Sequence, residues 1–133
     1  MKKLLARWFI RLAGWEPEGE RPAARRCVLI AAPHTSNWDL AFLLAFATHF
    51  DVHISWMGKD TLFRPPLGWV IRRTGGIPID RSKRGGMVEQ AARMLKNAQD
   101  LVLVVPAEGT RGHVSHWKSG FYHIARAANV PIV

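Results

Sequence analysis

The chain has 133 residues, 48% of them hydrophobic and 22% charged, with nineteen Lys and Arg against ten Asp and Glu, a net charge of +9. That size fits one domain, and the composition is that of a folded chain, not a disordered one. The single Cys27 excludes a disulfide-stapled secreted scaffold, and no apolar run reaches the ~20 residues that a membrane-spanning helix needs. The excess positive charge points to a polyanionic partner: a phosphate-bearing substrate, an anionic membrane surface or nucleic acid.

Residues 1–15, MKKLLARWFIRLAGW, place Lys3, Arg7 and Arg11 at a spacing of four and Leu4, Leu5, Trp8, Phe9 and Leu12 around them. This is the pattern of a basic amphipathic helix that associates with a membrane surface, or equally of an ordinary helix packed on its own domain. Arg7 and Arg11 interrupt the apolar stretch and no small-residue cleavage site follows, a pattern that reads against a signal peptide. Residues 16–26, EPEGERPAARR, read as a linker, and 27–133 as the globular domain.

Within that domain apolar runs alternate with helical patterns. Strands are predicted at 27–33, 52–57, 75–80 and 101–105, and helices at 39–50, 66–73, 87–100 and 119–130. Pro65 and Pro66 fit the first turn of the second helix. LVLVV at 101–105 is apolar throughout, as expected of a central strand covered on both faces. The alternation predicts an α/β fold: a central, largely parallel β-sheet flanked by helices. Pro131, Ile132 and Val133 open a fifth strand, so the domain is expected to continue past Val133.

Parallel strands present their ligand-binding loops at their carboxyl ends. Four loops there carry polar groups: His34 to Asp39, Gly58–Lys59, Asp80–Arg81 and Glu108 to Arg111. In the first, an Asp five residues after a His can fold back onto one imidazole nitrogen and leave the other as a base toward a hydroxyl. The competing reading is that Asp39 caps the helix and His34 is a satisfied loop residue; Ser36 and Asn37 are further candidate caps. In the third loop Arg81 suits bidentate phosphate binding, with Asp80 beside it, or forms part of a solvated basic turn. In the fourth, Glu108 and Arg111 bracket Gly109 as a pair for an alcohol or a phosphate, or as an ion pair closing a turn. Lys118 adds charge to the same edge.

His34-x4-Asp39, Gly-Gly-Ile-Pro-Ile-Asp-Arg at 75–81, Glu-Gly-Thr-Arg at 108–111 and Val-Pro-Ile-Val at 130–133 stand in the order and approximate spacing of four motifs. Over residues 27–133 the chain thereby resembles the glycerolphosphate and lysophosphatidate (1-acylglycerol-3-phosphate) acyltransferases. Trp56 to Lys59 and Trp117 to His123 resemble a small bacterial subgroup of them. Pro33, Pro78 and Ala107 depart from the residues usual at their positions.

The resemblance implies a glycerolphosphate acyltransferase-like fold and an O-acyltransferase of phospholipid biosynthesis. His34 would be its general base and Asp39 the orienting partner. The implied substrate-binding set is Lys59, Gly76, Arg81, Glu108, Gly109, Thr110 and Arg111, with Pro131 on the acyl-donor side. The donor would be acyl-CoA or acyl carrier protein, with no further cofactor. The acceptor would be a lysophospholipid or another phosphate-bearing alcohol. The implied location is peripheral, on the cytoplasmic side of a membrane. Direct transfer needs no covalent acyl-enzyme, and the tetrahedral oxyanion is expected to be held by backbone N–H groups at a helix start.

Two other classes compete. Residues 1–26 carry +4 and 27–133 carry +5, so charge is spread along the chain. The aromatics lie mainly in apolar segments, which disfavours a nucleic-acid-binding role. A thioester or lipid hydrolase would use the same His–Asp base on water, but no G-x-S-x-G elbow is present. His113, His116 and His123 lack a metal-site spacing, and no metal is expected. Cys27, at the start of a strand, reads as a small buried hydrophobe.

Overall fold

A computed structural model describes residues 1–80, 82, 86–109 and 112–133. The elements run α1 (Lys2–Leu12), β1 (Arg26–Ala31), α2 (Trp38–Phe50) and β2 (Ile54–Lys59). After a 3₁₀ turn (Asp60–Phe63) come α3 (Gly68–Arg73), β3 (Gly76–Ile79), α4 (Gly86–Asn97), β4 (Leu101–Pro106) and α5 (Gly120–Ala128). The expected α/β fold is present: β1, β4, β2 and β3 lie side by side in that order, and every pairing is parallel.

β4 sits between β1 and β2, and its apolar run is buried on both faces as the sequence implied. Val102 and Val104 point toward α2, where Leu43, Leu44 and Ala47 pack. Leu103 and Val105 point the other way, against Ala91 and Leu95 of α4 and Ile124 of α5. α2 carries the chain from β1 across β4 to β2 on one face. α4 returns it from β3 across β2 to β4 on the other. α3 belongs to the α2 face, because Phe63, just before it, packs its ring 6.3 Å from that of Trp56, a member of the α2-side cluster.

Outside the sheet edge, Ile132 forms a parallel bridge to Val28. The Val28 and Ile30 N–H groups donate to the Pro131 and Val133 carbonyls at 3.0 Å each. The pairing expected of a fifth strand therefore begins beside β1.

Some boundaries differ from expectation for local reasons. Pro65 and Pro66 precede α3 instead of forming its first turn; the chain there first makes the 3₁₀ turn. Gly68 starts α3 so close to Phe63 that any Cβ would collide with the Phe63 backbone. α2 and α5 stop at Asp51 and Asn129, which take the left-handed conformation (φ 59° and 54°) that short polar side chains tolerate. Pro33 lies outside β1, which ends at Ala31. Arg26 donates from Nη1 to the Leu95 and Lys96 carbonyls (3.1 and 3.3 Å), covering the C-terminal end of α4 with positive charge.

α1 packs on α2 through one of its two apolar sides. Ala6 and Ile10 are buried against Ala45 and Phe46 of α2, and Phe9 stacks at 5.2 Å from Phe42. Lys3 pairs with Asp51 at 3.2 Å. Leu4, Leu5, Trp8 and Leu12 remain exposed on the side turned from α2. The helix is thus packed on its own domain through one side and leaves an exposed apolar side on the other. Among the described residues no helix is long and apolar enough to cross a membrane.

Leu95 is fully buried between α4, α5 and the sheet. Leu95→Ala is expected to lower the unfolding free energy by about 2–5 kcal/mol. The check is a urea titration, in which the midpoint should fall at unchanged slope.

Candidate active site

Because all strands point one way, their carboxyl ends share one rim, and the loops after β1 and β4 meet there. Pairing runs from Arg26↔Leu101 to Ala31↔Pro106, so the two strands end level. Three residues beyond β1 stands His34; two beyond β4 stands Glu108. The His34 N–H donates to Glu108 Oε2 at 3.2 Å, tying together loops 74 positions apart. The chain leaves β1 toward the α2 face and β4 toward the α5 face. The crevice between these strands is therefore the point where connections diverge, the usual ligand position in an open α/β sheet.

Within the first loop one carboxylate oxygen organises everything. Asp39 Oδ2 accepts the Thr35 N–H at 2.6 Å and the Ser36 N–H at 2.9 Å, and lies 3.1 Å from His34 Nδ1. Capping-type contacts and the His–Asp contact, alternatives in the sequence, coexist here. The side chains of His34 and Asp39 are 29% and 26% exposed, which leaves them reachable from solvent. Burial acts to raise the Asp39 pKa. The Ser36 and Thr35 N–H groups and the adjacent His34 outweigh it and hold the carboxyl below its ordinary value. An ionised Asp39 accepts a hydrogen bond from Nδ1–H of a neutral imidazole, which keeps the proton on Nδ1 and leaves the Nε2 lone pair as a base. Nε2 makes no hydrogen bond among the described residues.

Two expectations for this loop need correction. Asn37 precedes α2 but provides no side-chain cap; its backbone is already helical (φ −66°, ψ −21°). Ser36 instead accepts the Trp38 N–H on Oγ at 3.2 Å. The oxyanion expectation also narrows. The amides of Thr35, Ser36, Trp38 and Asp39 are engaged with Asp39 Oδ2, Ser36 Oγ and the Ser36 carbonyl.

The remaining residues singled out in the sequence divide by position. Lys59 ends β2 on the same rim and is exposed. Gly109, at φ +67°, turns the chain after β4, and a Cβ there would lie 2.7 Å from Lys118 Cδ. Lys118 also donates its N–H to the Ala107 carbonyl at 2.9 Å, so it lies against the Glu108 loop. Gly76 is not brought to this rim. It begins β3, at the amino end of that strand, where a Cβ would crowd Phe63 Cε1 and the Ile71 carbonyl at 2.9 Å. Its bareness lets α3 and Phe63 pack onto the sheet. Arg81, Thr110 and Arg111 lie outside the described residues. Pro131 lies at the outer edge, accepting the Val28 N–H on its carbonyl. Cys27 is fully buried and burial pushes its thiol pKa up, in keeping with a small hydrophobe.

One role was invisible in the sequence: Glu108 holds the His34 backbone. Nothing local signals a bond across 74 positions; only the β1–β4 pairing creates it.

A parallel α/β sheet bearing a His–Asp pair at its switch point defines the class of architecture, and comparison with known proteins names the family. Residues 5–133 match the Acyltransferase family model, and the chain belongs to that family. It is 30% identical over 123 residues to the 1-acyl-sn-glycerol-3-phosphate acyltransferase of Saccharomyces cerevisiae, covering 86% of this chain and 40% of the yeast protein. It is also 30% identical over 146 residues to the enzyme of that name from Haemophilus influenzae, covering 98% of this chain and 58% of that one. The crystal structure of the 1-acyl-sn-glycerophosphate acyltransferase from Thermotoga maritima superposes with a TM-score of 0.64 at 24% identity. That match covers 98% of this chain and 55% of the other, and it shows the shared fold. The chain thus spans about half the length of these relatives.

Asp39 has a lowered pKa, so its ionised form stabilises the folded state. That contribution is fully present above the ordinary carboxylate value of ~3.9 and is lost as pH falls through the lower folded-state value. Asp39→Asn is expected to melt lower than the parent at neutral pH. The gap should close as pH is lowered, as read by thermal melts from pH 7 to 2.

Proposed function

We propose that this chain transfers a fatty acyl group from an acyl thioester, of coenzyme A or acyl carrier protein, to a hydroxyl of a lysophospholipid or glycerolphosphate-like acceptor. The observation that carries the reading is the His34 Nδ1–Asp39 Oδ2 contact of 3.1 Å at the switch point of the sheet, with no partner on Nε2 among the described residues. Family membership and the names of the relatives favour a phosphate-bearing lipid acceptor.

In this mechanism Nε2 of His34 accepts the acceptor's hydroxyl proton as the oxygen attacks the thioester carbonyl carbon. Asp39 stabilises the imidazolium that forms. The tetrahedral intermediate collapses with cleavage of the carbon–sulfur bond. The imidazolium returns its proton to the departing thiolate, so the base is regenerated. Glu108 keeps the base in place by holding its backbone. Lys59 and Lys118, on or beside the same rim, supply positive charge for the acceptor's phosphate. Arg81, Thr110 and Arg111 complete the acceptor set that the motifs suggest.

Access to such an acceptor suits a protein resting on the cytoplasmic face of a membrane. The exposed Leu4, Leu5, Trp8 and Leu12 of α1, with basic side chains alongside, support contact with an anionic lipid surface.

General acid–base help of this kind is worth ~10²–10⁴-fold in rate. His34→Ala is therefore expected to reduce acyl transfer by about that factor, with circular dichroism unchanged. Labelled acyl-CoA supplied with a panel of lysophospholipids provides the measurement. Near-parental transfer by the folded variant would overturn the assignment. Equal release of free fatty acid with and without acceptor would identify a hydrolase.

A further inference from the structure

The segment joining β2 to β3 presents a second apolar surface that the chemistry above does not use. From residue 59 to 73 only Phe63 and Gly68 are buried and Ile71 is half-buried; the rest are exposed. Leu67 and Trp69 are 63% and 65% exposed, with Leu62 and Val70 beside them. Gly68 seats α3 hard against the Phe63 backbone, so the side chains on either side of it in sequence are left facing outward. The same stretch carries Lys59, Arg64, Arg72 and Arg73 against Asp60 alone. Arg64 lies 4.0 Å from Asp60, and Arg72 lies 5.3 Å over the Phe63 ring.

We infer that the 3₁₀ turn and α3 form a second membrane-contact element, separate from α1, that takes an anionic phospholipid surface. Three observations carry this. First, large apolar side chains stand among arginines, the composition of an interfacial segment, and Trp favours the headgroup level. Second, the charge of the segment complements an anionic leaflet. Third, α3 lies on the α2 face of the sheet, the layer to which α1 is also added. The segment starts at Lys59, on the rim that holds His34. Two contacts, one in α1 and one beside the rim, would fix how the rim meets the lipid, where one helix alone leaves the domain free to swivel. An acidic protein partner is the competing occupant. The exposed Leu and Trp side chains, standing among arginines, favour lipid.

This inference rests on the peripheral-membrane reading above, so the test separates the two. The whole chain is sedimented with vesicles of equal parts phosphatidylglycerol and phosphatidylcholine, and with phosphatidylcholine alone. Leu67→Ser/Trp69→Ser is expected to lower the partition coefficient by about tenfold or more without changing the melt, because both side chains are already exposed to water. Arg64→Gln/Arg73→Gln is expected to lower it severalfold on the anionic vesicles only. As an independent readout, a polarity-sensitive dye on Trp69→Cys is expected to shift to the blue on the anionic vesicles; Cys27 is buried and stays unlabelled in the folded chain. If Leu4→Ser/Trp8→Ser abolishes binding while Leu67→Ser/Trp69→Ser leaves it intact, the second contact is overturned and the α1 reading stands. If the parent chain binds neither vesicle, both fall. If the α3 variants weaken binding to acyl carrier protein and not to vesicles, the surface belongs to a protein and the inference is overturned.

Discussion

Six parallel pairs between β1 and β4 set everything that follows. With Arg26 opposite Leu101 and Ala31 opposite Pro106, the two strands end at one level and release their chains to opposite faces. The loops must part there, and the gap they leave is where His34 and Glu108 meet. A slip of one residue would turn β4's side chains to the wrong faces, and would also carry Glu108 away from the His34 backbone. Core packing and site geometry therefore depend on one register.

Inside the first loop the design is economical in atoms. One oxygen of Asp39 closes the turn before α2 through two amides and also steers the His34 ring. The bonds that hold the carboxylate in place also keep it ionised, which fixes the imidazole proton on the side away from the open nitrogen. Loop shape and basicity are thus coupled, and neither needs a residue from elsewhere. Glu108 adds the long-range restraint that sets this local unit at the rim.

The charge of +9 is spread over several parts of the chain. The amino-terminal helix and the β2–β3 connection combine cations with uncovered Leu and Trp, while the rim adds Lys59 and Lys118 near the His–Asp pair. On α1, Ala6 and Ile10 are buried against α2 with Phe9 beside Phe42, while Leu4, Leu5, Trp8 and Leu12 are exposed on the far side.

Much of this was legible in residue order. Apolar runs bounded by helical patterns reveal strands and helices because burial demands them. The His-x4-Asp spacing anticipates a contact because a short turn can bring those two residues together. What the sequence by itself determined was the alternation of elements, a buried central β4 and the chemistry concentrated at the strand ends. Only the tertiary structure decided that β4 enters between β1 and β2, that Glu108 grips the backbone of His34, that Gly76 serves packing at the opposite end of its strand, and that α1 buries Ala6 and Ile10 against α2. The reason is physical: local periodicity reports which side chains avoid water, but strand order and register are chosen by contacts between segments far apart in the chain, which no local pattern records.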